Sequence, residues 1–184
     1  MNHRWMTPLA CAGVALAADW TAPVSVTHEF KPCITYRARL TGEYLVVEAK
    51  IATPWHTFAI DNEERAAEKL AGRQSLGIDQ PTRIELSGGL DVAGPWHQSP
   101  PKDFSKPDIR WYTFGFEEKA IFAAKVKRSG GSGPATVEIR GQACTDTTCK
   151  NVDLELSLPL TELRGEASEL DWKGLVSVKT GNGR

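Results

Sequence analysis

Residues 135–158 read ATVEIRGQACTDTTCKNVDLELSL, and this run decides the fold. Residues 135–143 carry β-branched residues in partial alternation with polar ones. Residues 152–158 alternate apolar and polar almost strictly, which is the period of a half-buried strand. Cys144 and Cys149 stand between the two runs with Thr145, Asp146, Thr147 and Thr148 separating them, so the cysteines flank a hairpin loop. Residues facing each other across such a loop have Cβ atoms roughly 4.5–5.5 Å apart, and a modest adjustment brings that into disulfide range. The spacing leaves two roles open, a local structural bridge and a reversible redox pair. As a staple the bridge is weak: closing a loop of about six residues contributes roughly 2 kcal/mol. A chain long enough to bury a substantial core does not need it. Zinc is disfavoured, because one Cys pair supplies two of four ligands and the sequence has no second Cys or His pair at ligand spacing. No metal or cofactor is expected.

Outward from the hairpin, strand-like segments recur. Residues 22–30 (APVSVTHEF), 34–40 (ITYRARL) and 44–51 (YLVVEAKI) come first, the last two joined by a hairpin signal at Thr41-Gly42-Glu43. Residues 82–86 (TRIEL), 111–116 (WYTFGF) and 120–126 (AIFAAKV) follow, and the loop at 129–134 (SGGSGP) carries the most flexible composition. About eight short strands with Gly and Pro punctuation predict an all-β, immunoglobulin-like antiparallel β-sandwich. Residues 61–74 (DNEERAAEKLAGRQ) predict about two helical turns with a solvated charged face. Residues 94–108 (GPWHQSPPKDFSKPD) are Pro-rich and predict a loop, since prolines cannot serve an interior ladder. A long loop carrying Trp96, His97 and Phe104 is expected to fold over the core edge or a functional surface.

The first 18 residues have the pattern of a secretory signal peptide: Arg4, an apolar stretch over residues 5–16, and Ala15-Leu16-Ala17 as a small-x-small cleavage site. Lipoprotein processing at Cys11 is the alternative, opposed by Pro8 where such a site prefers an aliphatic residue. The expected organisation is residues 1–18 as signal, 19–160 as one domain and 161–184 as a tail, either docked or loose. The product is then periplasmic or secreted, in a compartment where a Cys pair rests oxidised unless something reduces it. No later segment approaches the roughly 18 apolar residues of a membrane span, so no membrane insertion is expected after cleavage. Net charge is −1 for the whole chain and becomes −2 on loss of Arg4, and no basic block is present, which argues against nucleic acid as a partner. Cys33 remains the odd cysteine and reads as a small buried hydrophobe.

Neighbouring charges bear on which cysteine attacks. Asp146 disfavours both thiolates, whereas Lys150 follows Cys149 and Arg140 lies on the incoming strand, so Cys149 has the more favourable flank. His3, His28, His56 and His97 are isolated and read as structural.

Four runs occur in order: Pro54-Trp55-His56-Thr57-Phe58, Pro81-Thr82-Arg83-Ile84-Glu85-Leu86, a Pro/aromatic segment at 100–104, and Gly141-Gln142-Ala143-Cys144 closing at Cys149. Together they make residues 20–160 resemble the periplasmic N-terminal domain of the thiol:disulfide interchange protein DsbD. The resemblance implies that Cys144 and Cys149 are the redox pair, with Cys149 matching the cysteine that forms mixed disulfides. It implies that Phe104 belongs to a cap loop shielding the disulfide. It also places Phe58 near an active-site aromatic that is often tyrosine in the family. Partners would be a thioredoxin-fold periplasmic protein and a membrane electron conduit on a separate chain. Lys150-Asn151-Val152 departs from the aromatic or aliphatic residue and two prolines that commonly follow the second cysteine in the family. The competing function is a secreted immunoglobulin-like binding module in which the same disulfide is static.

Overall fold

The structure is a computed structural model that describes residues 20–71, 73, 75–77, 79–130, 133–160 and 170–180. The segment at 1–18 expected to be a signal and part of the 129–134 loop lie outside the described residues. Twelve strands are present among the described residues: β1 (Val24–His28), β2 (Lys31–Thr41), β3 (Tyr44–Ile51), β4 (His56–Phe58), β5 (Arg83–Ser87), β6 (Leu90–Gln98), β7 (Lys102–Asp103), β8 (Phe114–Phe116), β9 (Lys119–Arg128), β10 (Ala135–Cys144), β11 (Cys149–Leu158) and β12 (Val176–Ser177). One sheet runs β1-β2-β3-β9-β6-β12. The other runs β11-β10-β4-β8-β7, with β5 also paired to β10. All pairings are antiparallel, so the fold is the immunoglobulin-like antiparallel β-sandwich expected from the strand pattern.

The alternation visible in the sequence is what closes the two sheets on each other. Ile34, Tyr36, Ala38 and Leu40 of β2, Leu45, Val47 and Ala49 of β3, and Ala120, Phe122 and Val126 of β9 are buried from one side. From the other come Ala135, Val137, Ile139 and Ala143 of β10 and Val152, Leu156 and Leu158 of β11. Each large aliphatic or aromatic side chain so buried contributes roughly 1.5–3 kcal/mol. Thr41-Gly42-Glu43 makes the predicted turn, with Gly42 in the left-handed region at φ 53°.

One edge of β10 is shared between two partners, and this positions the cysteine hairpin. Thr136 to Arg140 pairs with β5, whereas Ala143 and Cys144 pair with Thr57 and His56 of β4. The change of partner falls at Gly141, which has φ 153° and where a Cβ would stand 3.2 Å from the Pro81 carbonyl oxygen. A side chain there would require the incoming 81–82 backbone to give by a few tenths of an ångström.

Helix α1 (Asn62–Lys69) forms the predicted two turns. Its charged face is exposed at Glu63, Glu68 and Lys69, but Asp61 at its start is buried. The Asp61 carboxylate accepts hydrogen bonds from Arg65 Nε at 2.7 Å, Gln98 Nε2 at 2.6 Å and the Lys179 amide at 2.8 Å. Residues 170–180 are therefore docked rather than loose. Val176 and Ser177 pair with Gln98 and His97 of β6. Trp172 packs edge-on against Tyr44 at 4.7 Å and His97 at 5.3 Å.

The Pro-rich segment departs from the loop expectation. Residues 94–98 belong to β6, and Pro95 is tolerated because it falls in the irregular stretch between Val92 and Trp96, where the register against β9 slips. Residues 102–116 fold as a hairpin flap. The Phe104 amide donates to the Thr113 carbonyl at 3.0 Å, Lys106 and Trp111 exchange backbone bonds at 2.7 and 3.1 Å, and a short 3-10 turn (Pro107–Ile109) forms the tip. The strand expected over 111–116 is accordingly confined to β8.

Candidate functional site

Cys144 and Cys149 are directly opposed at the last rung of the β10–β11 ladder, with Cα atoms 4.0 Å apart, and are joined as a disulfide. The turn between them is held by its own threonines. The Thr145 amide donates to the Thr148 carbonyl at 2.8 Å, and Thr145 Oγ1 accepts from the amides of Thr147 and Thr148, each at 3.2 Å. A hydroxyl that satisfies two turn amides fixes the loop independently of the sulfur bridge. The two sulfurs differ in access: Cys144 is 2% exposed, while Cys149 is exposed.

Two elements converge on the buried sulfur. From β4, His56 is the register partner of Cys144, and Phe58 follows two residues later on the same face. From the flap, Phe104 stacks on the His56 ring at 5.1 Å, and Phe58 meets that ring edge-on at 5.4 Å. These side chains, with both cysteines, Lys106, Trp111, Asp79, Glu117 and Asp146, line a cleft of about 340 Å³. Phe104 and Phe58 are thus brought to the disulfide together. Phe58 is 1% exposed, so a tyrosine hydroxyl at its position would have to enter this packed contact.

The cleft electrostatics differ from the sequence expectation in one respect. Lys150 does not flank the Cys149 sulfur. Successive residues on a strand point to opposite faces, so Lys150 lies on the inner face with Val152 while Cys149 faces outward. Its charge is instead felt by Cys33, whose thiol is pushed up by burial and partly drawn back by Lys150. Arg140 is engaged by Glu138 and, at 3.7 Å, by Asp153. The cation at the cleft is Lys106, whose Nζ lies 3.5 Å from Asp146 and 5.8 Å from the Trp111 ring centre. Burial lowers the His56 imidazole below its ordinary 6.5, against the upward pull of Asp79, Asp146 and Glu117, with Lys106 adding to the lowering. Asp79 accepts from Trp111 Nε1 at 2.6 Å and Lys102 pairs with Glu117 at 2.8 Å.

His56 and Lys106, which carried no separate mark in the sequence, also line the cleft. His56 stood inside the run Pro54-Trp55-His56-Thr57-Phe58, and its spacing from Phe58 was the available signal. Its pairing with Cys144, far along the chain, had none. Cys33 is fully buried, as its sequence context indicated.

No family model matches the sequence, and no curated protein matches it. The fold resembles the N-terminal periplasmic domain of ScsB from Proteus mirabilis. The match has a TM-score of 0.55 at 17% identity and covers 85% of this chain. The chain spans 57% of the length of that ScsB domain structure. The reduced N-terminal domain of DsbD from Neisseria meningitidis also matches, at a TM-score of 0.43 and 11% identity over 68% of this chain and 85% of that one. At such identity the likeness to ScsB establishes the β-sandwich. No described helix is long and apolar enough to cross a membrane.

Proposed function

We propose that the chain is a periplasmic thiol–disulfide exchange domain in which Cys144 and Cys149 cycle between dithiol and disulfide. The observation that carries this reading is the unequal burial of a disulfide at a hairpin tip beneath an aromatic flap: one sulfur exposed, one 2% exposed. Exchange needs an accessible sulfur for the partner and a second sulfur that resolves the adduct, and a merely structural bridge needs neither distinction. In the reduced pair the Cys149 thiolate attacks a partner disulfide, forming a mixed disulfide and releasing one partner thiolate. Cys144 then attacks Cys149 Sγ, closing the internal bridge and releasing the second partner thiol. Two electrons and two protons pass to the partner. A dithiol donor returns them by the reverse sequence. A thioredoxin-fold periplasmic protein suits the acceptor role and a membrane electron conduit on a separate chain suits the donor role. Phe104 shields the bridge from other thiols, with Phe58 forming the floor of the same contact.

Trapping tests this. Cys144→Ala leaves the exposed Cys149 without a resolving thiol, so a mixed disulfide with a thioredoxin-fold protein or a membrane reductase accumulates in periplasmic extracts. Cys149→Ala traps far less, because Cys144 is buried. If neither variant captures a partner where an established redox protein does, the disulfide is static and the chain is an immunoglobulin-like binding module.

A further inference from the structure

The exchange chemistry leaves one step without a proton acceptor. To resolve a mixed disulfide on Cys149, Cys144 must lose its proton, yet it is 2% exposed, so a side chain beside it is better placed than bulk water to take that proton. We propose that His56 is the acid–base residue of the pair, accepting the Cys144 proton as that sulfur attacks Cys149. This role rests on the exchange reading above.

The geometry comes from the ladder. His56 and Cys144 are register partners in the antiparallel β4–β10 pairing. Residues so opposed share a face, with Cβ atoms about 4.5–5.5 Å apart, which is within the span of an imidazole and a thiol. Both line the same cleft. The ring is held from two sides, stacked on Phe104 and edge-on to Phe58, so its direction is set before reaction. The other ionisable groups around the cleft are already engaged: Asp79 by Trp111, Lys106 with Asp146, and Glu117 with Lys102.

The protonation state fits the task. Burial favours the neutral imidazole of His56, the form an acceptor must have. Asp79, Asp146 and Glu117 favour the imidazolium once it forms, and Lys106 opposes it. In the resolving step the Cys144 S–H proton passes to the ring, a Cys144–Cys149 S–S bond forms, and the Cys149–partner S–S bond breaks. The partner leaves as a thiolate, which takes up the proton from the ring or from water. In the reverse direction Cys144 leaves as a buried thiolate and is reprotonated through the same ring.

The test uses the full reduced chain and dithiobis(nitrobenzoate), an aromatic disulfide that releases one coloured thiolate when Cys149 attacks and a second when Cys144 resolves the adduct. His56→Gln is expected to leave the first release nearly unchanged and slow the second about 100-fold at pH 7, the low side of what general base catalysis supplies. His56→Phe keeps the stacking and should show the same slow second release. In wild type the second rate should level off above the imidazole's own titration, whereas in both variants it should climb with pH through the thiol range. An unchanged second release and pH profile in both variants overturns the role of His56 while leaving exchange intact. Equal slowing of both releases also overturns it, since the ring would then act through flap packing. A wild-type chain that shows no second release overturns the exchange reading itself.

Discussion

Reducing the Cys144–Cys149 bridge should cost about 2 kcal/mol and leave the sandwich folded. The bridge closes a loop of about six residues, and the chain-entropy model assigns such a loop roughly 2 kcal/mol. Little else is lost with it. The β10–β11 register runs from Ala135 opposite Leu158 to Cys144 opposite Cys149, and Val137, Ile139, Leu156 and Leu158 remain in the core whichever redox state the tip adopts. The turn keeps its Thr145 hydroxyl bonds. With a urea m-value of about 1–3 kcal/mol/M, the unfolding midpoint should fall by roughly 1 M on reduction, with m unchanged. Urea titrations followed by tryptophan fluorescence, with and without a phosphine reductant, measure this directly, and far-UV circular dichroism reports the fold in the absence of urea. Unfolding on reduction alone would refute the reasoning, because the bridge would then hold the sandwich together.

Three further outcomes follow from the same contacts. Phe104→Ala removes the ring stacked on His56, a contact worth about 0.5–1.5 kcal/mol, and should speed reduction of the bridge by a small-molecule thiol roughly 2- to 10-fold with the fold unchanged by circular dichroism. Asp61 is pushed up by burial, but Arg65, the Lys179 amide and Gln98 outweigh this and hold its carboxyl below 3.8. Its stabilising contribution is therefore present above the unfolded value and lost as pH falls through the folded one, so urea midpoints should drop below about pH 4 in wild type and less steeply in Asp61→Asn. Mass spectrometry of exported protein should find a mature N-terminus near Ala18, and an intact Met1 on cytosolic material would contradict the signal sequence.

The β-sandwich was legible because its strands alternate: residues 44–51 and 152–158 carry the two-residue period that buries Leu45, Val47, Leu156 and Leu158. The cysteine hairpin was legible for the same reason. What escaped was set by contacts between distant strands. Lys150 neighbours Cys149 in the chain but is turned to the other face by the pleat. His56 looked isolated because its partner Cys144 meets it only through sheet pairing. The segment at 94–108 was read from its prolines, yet Pro95 sits where the β6–β9 register slips, and the remainder becomes a flap through backbone bonds between 104–106 and 111–113. Charge adjacency and proline content are local signals, whereas the site is assembled by register.

The reduction potential of the Cys144–Cys149 pair, measured by equilibration with glutathione buffers and quantified by thiol labelling, tests the central claim most directly. Structural bridges of exported proteins lie below about −300 mV, and exchanging ones are more oxidising. A redox-cycling pair should therefore equilibrate within the glutathione range, above about −300 mV. A bridge that stays closed throughout that range, with a potential below about −300 mV, would contradict exchange and leave a static disulfide.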